Sequence, residues 1–141
     1  WFEFDLKENT KVFELQMHCY QKLIEFYKNK YDFGAPVFNL SVYNKGCFIE
    51  NHRDGYDNDD KRLCVLLLYL NTDWEKGMGG ELIITDADGN KIEIEPKFGN
   101  FAILNFTDAN LKHEVRKINS DTFNRKTLIS FMNKNKKYVI N

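Results

Sequence analysis

Arg62-Leu63-Cys64-Val65-Leu66-Leu67-Leu68-Tyr69-Leu70 carries the longest apolar run in the chain. It is far too short to cross a bilayer and has the length of a strand. Being apolar on both faces, it predicts a strand buried on both sides. The segments around it also read as strands. After Gly79-Gly80, Glu81–Thr85 is one. Asp86-Ala87-Asp88-Gly89-Asn90 reads as a hairpin turn, because Asp, Gly and Asn tolerate positive φ. Lys91–Glu95 then alternates, with Ile92 and Ile94 on one side. Val37–Tyr43, Phe101–Phe106, His113–Ile118, Lys126–Met132 and Tyr138–Ile140 complete the set. Roughly eight short strands with frequent turns predict a sandwich, jelly roll or barrel.

Upstream the period changes. Between Asn9 and Lys30 the apolar positions are Val12, Phe13, Leu15, Cys19, Tyr20, Leu23, Ile24, Phe26 and Tyr27. Steps of three and four predict one amphipathic helix, ended by Gly34-Ala35-Pro36. No repeat or linker divides residues 1–141, so a single mainly-β domain with an N-terminal supporting α-helix is expected. Aromatics at 15% supply a core for that length. A net charge of −1 argues against a broad nucleic-acid surface, and no segment suits a membrane. Cys19, Cys47 and Cys64 are odd in number and form no CxxC pair, which predicts free thiols in a reducing compartment. With no visible signal peptide, the expected location is cytoplasmic. Cys47 and Cys64 are expected to face the core.

The histidines carry the chemistry. His18 lies within the helix and reads as structural. His52-Arg53-Asp54 follows a strand, and residues i and i+2 of an extended backbone point to one side. His113 opens a later strand. Two histidines and a carboxylate can occupy one face of an octahedral ferrous ion and leave three positions open. On its own, His-x-Asp also occurs in solvated loops, and Asn51–Lys61 is densely polar. Arg125 comes twelve residues after His113, ahead of core-like Leu128, Ile129 and Phe131. A buried arginine there would hold a carboxylate bidentately. Adjacent Lys126 competes for that role, and only one of the two can point inward.

Several blocks carry a resemblance. Leu67-Leu68-Tyr69-Leu70-Asn71-Thr72-Asp73-Trp74, Gly79-Gly80-Glu81-Leu82, Ile94-Glu95-Pro96-Lys97-Phe98-Gly99 and His113-Glu114-Val115 fall in order around the histidines. From about Val37 to Met132 the chain resembles the 2-oxoglutarate- and Fe(II)-dependent prolyl 4-hydroxylase-like family. The resemblance implies a double-stranded β-helix, a distorted jelly roll. It implies Fe(II) held by His52, Asp54 and His113. It places the distal carboxylate of 2-oxoglutarate on Arg125 and Tyr69, with Tyr43 lining the cavity and Phe131 in its apolar wall. Tyr43 and Tyr69 equally read as core aromatics. The interval from His113 to Arg125 is longer than is usual in the family.

The activity implied is oxidative decarboxylation of 2-oxoglutarate to succinate and CO2 with O2, coupled to hydroxylation of a prolyl residue in a protein or peptide. Ascorbate is an optional reductant. The loop Arg53–Arg62, with Asp54, Asp57, Asp59 and Asp60, is expected to form a mobile acidic lid for a basic segment; it also reads as a solvated loop. Two other readings remain: a hydroxylase of a free amino acid or other small molecule, and a non-catalytic cupin-like binding module. Residue pattern leaves the oligomeric state open.

Overall fold

The computed structural model describes residues 10–27, 37–54, 62–106 and 111–133. The helix α1 spans Thr10–Tyr27. Among the described residues eight strands follow: β1 Val37–Tyr43, β2 Ile49–His52, β3 Arg62–Tyr69, β4 Leu82–Thr85, β5 Lys91–Ile94, β6 Phe101–Asn105, β7 Lys112–Val115 and β8 Arg125–Asn133. They form two four-stranded sheets, ordered β1-β8-β3-β6 and β2-β7-β4-β5, and every pairing is antiparallel. This is the jelly roll that the strand pattern predicts.

The apolar run of β3 sits in mid-sheet, between β8 and β6. Val65, Leu67 and Tyr69 turn inward and pack with Leu82, Ala102, Leu104 and Val115 between the sheets. Each such aliphatic side chain contributes roughly 1.5–3 kcal/mol by leaving water. Leu63 and Cys64 instead pack outward, with Met132, against Tyr20 of α1. Met17, Leu23 and Ile24 join them, so residues 17, 20 and 24 mark the buried stripe. Leu15 and Phe26, counted in the apolar stripe from periodicity, are exposed. His18 is exposed as well, away from any cluster of ligands.

A third cluster closes one end. Trp74, Ile118 and Phe123 pack together there, with Tyr43 and Met78 against them, and the Trp74 indole N–H donates to the Gly79 carbonyl at 2.8 Å.

Three local readings need correction. His52 does not follow a strand but ends one, β2, which polar Glu50 and Asn51 conceal in the sequence. Cys47 is exposed rather than core-facing, while Cys64 is buried and burial pushes its thiol up to about 11. The strand at His113 stops at Val115, and Ile118 then pairs irregularly with Cys47 and Gly46. The expected strand Tyr138–Ile140, the helix stop at Gly34–Pro36 and lid residues 55–61 lie outside the described residues.

Candidate metal centre and co-substrate pocket

β2 and β7 pair antiparallel, and the register puts His52 opposite His113. Cross-strand partners on one face stand close enough for their side chains to meet. The two imidazole centroids are 4.2 Å apart. Asp54, just past the end of β2, reaches both rings. Its Oδ1 is 3.4 Å from His52 Nε2 and its Oδ2 is 3.9 Å from His113 Nε2. One ligand atom from each residue lies within 4.8 Å of the others.

Details of the rings suit ligation. His52 Nδ1 lies 2.8 Å from the Glu50 carbonyl, to which a protonated Nδ1 donates, leaving Nε2 with a free lone pair. His113 is 7% exposed and packs near Phe106. Its pKa is pushed down to about 4, first by burial and then by His52, with Asp54 opposing. It therefore stays neutral at physiological pH, as a ligand must. Two imidazole nitrogens and a carboxylate on one side of an open space fit Fe(II) as a facial set.

A cavity of about 200 Å³ extends from this cluster to Arg125 and Tyr43, walled by Leu67, Ile129 and Phe131 among others. Arg125 is 3% exposed. Its Nε donates to the Gly80 carbonyl at 2.9 Å, and its Nη2 lies 3.4 Å from the Tyr69 hydroxyl oxygen. The guanidinium stands 5.1 Å from the Tyr69 ring and 5.7 Å from the Tyr43 ring. Burial lowers the Arg125 pKa, opposed by Tyr69; burial raises that of Tyr69, opposed by Arg125. Among the described residues no carboxylate forms an ion pair with Arg125. A desolvated cation without a counter-ion is costly, so the site is built for an anion that arrives from outside.

The competition between Arg125 and Lys126 has a structural answer. Asn71 accepts the Lys126 N–H at 2.7 Å on Oδ1 and donates to the Lys126 carbonyl at 3.2 Å. Clamped in this way, β8 leaves Lys126 exposed and turns Arg125 inward. The neighbouring glycines are needed too. A Cβ on Gly80 would stand 3.1 Å from Arg125 Cδ, and one on Gly79 would collide with the Lys117 carbonyl. From the sequence alone these glycines mark only the start of a strand, and Asn71 has no role. Their place in the Asn71 and Gly79-Gly80 blocks was the available signal.

The sequence model of the 2OG-Fe(II) oxygenase superfamily matches residues 38–133, about two thirds of the chain. Three solved structures share the fold. A Pseudomonas putida prolyl-4-hydroxylase is 24% identical, with a TM-score of 0.69, covering 88% of this chain and 63% of that one. A Phytophthora capsici prolyl 4-hydroxylase is 23% identical, with a TM-score of 0.70, covering 94% and 46%. A Trichoplax adhaerens prolyl hydroxylase, in complex with a hypoxia inducible factor oxygen degradation domain peptide fragment, is 21% identical, with a TM-score of 0.70, covering 86% and 56%. The chain thus spans less than two thirds of the length of each of these proteins. Its sequence match, its paired sheets and its clustered His52, Asp54 and His113 agree: the chain belongs to the 2OG-Fe(II) oxygenase superfamily.

Proposed function

We propose that this chain is the catalytic domain of a 2-oxoglutarate- and Fe(II)-dependent hydroxylase acting on a prolyl residue of a protein or peptide. One observation carries the co-substrate assignment. The buried guanidinium of Arg125, with no counter-ion among the described residues, faces the same cavity as His52, Asp54 and His113. A small dicarboxylate would meet the metal at one end and the cation at the other.

When bound, Fe(II) and 2-oxoglutarate supply the oxidation: one atom of O2 enters succinate as CO2 leaves, and the other enters the product hydroxyl. The chain does the positioning. His52, Asp54 and His113 would hold the metal and leave its remaining positions free. Arg125 would take the distal carboxylate with charge-assisted hydrogen bonds. The Tyr69 hydroxyl, accepting from Arg125, keeps its own proton to donate to that carboxylate. Tyr43 closes the floor beside the guanidinium, and the aliphatic wall excludes water.

The prolyl assignment is supported by the three fold relatives, one of which holds a peptide fragment. A cytoplasmic setting is supported by the three free thiols. Among the described residues no helix is long and apolar enough to cross a membrane. The test is direct. Purified protein with Fe(II), ascorbate and O2 should convert 2-oxoglutarate to succinate. Mass spectrometry of proteins from host lysate, with and without the enzyme, should find one added oxygen on proline. Oxygen gain confined to free amino acids would replace the peptide reading, and absence of succinate would remove the enzyme reading.

A further inference from the structure

Arg62 opens β3 and lines the same cavity as the candidate metal ligands. Strand parity alone would aim it elsewhere. Residues 62, 64, 66 and 68 alternate with inward Val65, Leu67 and Tyr69, and Cys64 faces α1. The β3–β8 register, however, shifts between Arg62 and Cys64. Such an irregularity re-aims a side chain at the cost of a ladder interruption. Here it brings Arg62 Nη1 to 3.6 Å from Asp54 Oδ1 and lays the guanidinium 4.7 Å from the centroid of the Phe131 ring.

The two oxygens of Asp54 are thereby made unequal. Oδ1 has the Arg62 cation 3.6 Å away, besides His52 Nε2 at 3.4 Å; Oδ2 lies 3.9 Å from His113 Nε2. An octahedral ion held by three protein atoms keeps three positions. A carboxylate that takes two positions leaves only two. A chelating 2-oxoacid fills both and nothing stays free for the oxidant. Resting on the metal reading proposed above, we propose that Arg62 is a positioning residue that keeps Asp54 a one-oxygen ligand by competing with the metal for Oδ1. Phe131 fixes the guanidinium plane from the other side, so the planar fork matters as well as the charge.

This role separates two affinities that a merely structural role would move together. Losing the cation beside Asp54 removes a competitor for its carboxylate, so metal affinity should hold or tighten. It also frees Oδ1 to chelate, so 2-oxoglutarate must displace it and should bind more weakly. The experiment loads the purified protein with Co(II), follows metal binding by its visible absorption, and titrates 2-oxoglutarate calorimetrically. Arg62→Ala should keep Co(II) affinity and lose about 10- to 100-fold in 2-oxoglutarate affinity, the worth of a charge-assisted pair to a carboxylate. Arg62→Gln, a shorter neutral donor, should restore at most part of that loss. Thermal unfolding by circular dichroism confirms that each variant is folded, and Arg62→Gln serves if Arg62→Ala is not. The proposal is overturned if both affinities fall together or neither moves. Co(II) binding that survives His52→Ala would instead sink the metal assignment beneath it.

Discussion

At one end of the cavity, the side chains of His52 and Asp54 keep 37% and 20% of their surface in solvent. At the other end Arg125 is 3% exposed, and Tyr69, packed behind it, is 0% exposed. The open end stands on β2, an edge strand, and on the residues just after it. The closed end stands on β8 and β3, the two central strands of a sheet covered by α1. The difference follows from what each end has to exchange. On the proposed function, metal, co-substrate and a large substrate would all come and go at the first. The second would have only to recognise one carboxylate, and its cation is desolvated and oriented by the fold beforehand.

The largest expected effect is at the open end. His52→Ala, Asp54→Ala or His113→Ala should abolish metal binding, read by titration with Co(II), and with it succinate formation. No other group of three such ligands occurs among the described residues, so no substitute stands ready. Full turnover in Asp54→Ala would break the contrast at its root, because the exposed end would then be a solvated loop.

The closed end should give a graded response instead. Charge-assisted hydrogen bonds are worth about 1.5–3 kcal/mol, or roughly 10- to 150-fold in affinity. Arg125→Ala should raise the KM for 2-oxoglutarate by that factor while Co(II) still binds. Lys126→Ala should leave it unchanged, since Lys126 points to solvent. The opposite pattern would show that β8 is shifted by one residue.

What was legible follows the range of each interaction. Helix and strand periods are local, so α1 and most strands could be read directly, and His52-x-Asp54 was visible as a local pair. β2 was not, because four residues with two polar ones in the middle carry no apolar alternation. Contacts set by register stayed hidden. Nothing near Asn71 in sequence announces that it clamps Lys126, or that Gly80 must lack a Cβ for Arg125 to pass. The bulge that turns Arg62 inward is likewise a property of the β3–β8 pair and not of either strand. Composition and spacing brought the triad and a carboxylate-holding Arg125 into view, but the part of Tyr69 in that contact came from family resemblance.

A pH experiment sharpens the comparison at its boundary, where His113 is buried although its partners are not. Its pKa is about 4 in the fold and near 6.5 when unfolded. Between these values the unfolded chain binds a proton that the native chain refuses. Stability of the metal-free protein should therefore be full above about pH 6.5 and fall as pH drops toward 4, by roughly 2–3 kcal/mol. Urea unfolding across that window should show the loss, and His113→Asn should flatten it. A loss of the same size in His113→Asn would assign the effect to other groups.

The smallest effect tests whether the closed end acts as one unit. Tyr69 is fully buried, and its hydroxyl is within reach of Arg125 Nη2 at 3.4 Å. The ring itself packs in the main core with Val65, Leu67 and Leu82. Tyr69→Phe keeps that packing and removes one neutral donor. A neutral hydrogen bond contributes about 0.5–1.5 kcal/mol, so the KM for 2-oxoglutarate should rise only about 2- to 10-fold. The kcat at saturating co-substrate should hold, because the hydroxyl's partner is Arg125 and not a metal ligand. Removing both groups, in Tyr69→Phe with Arg125→Ala, should cost less than the two single effects added together. The hydroxyl is oriented by the guanidinium and has less to hold once it is gone. Strict additivity would mean that the two groups grip the carboxylate independently, and the closed end would then be two contacts rather than one preformed anchor.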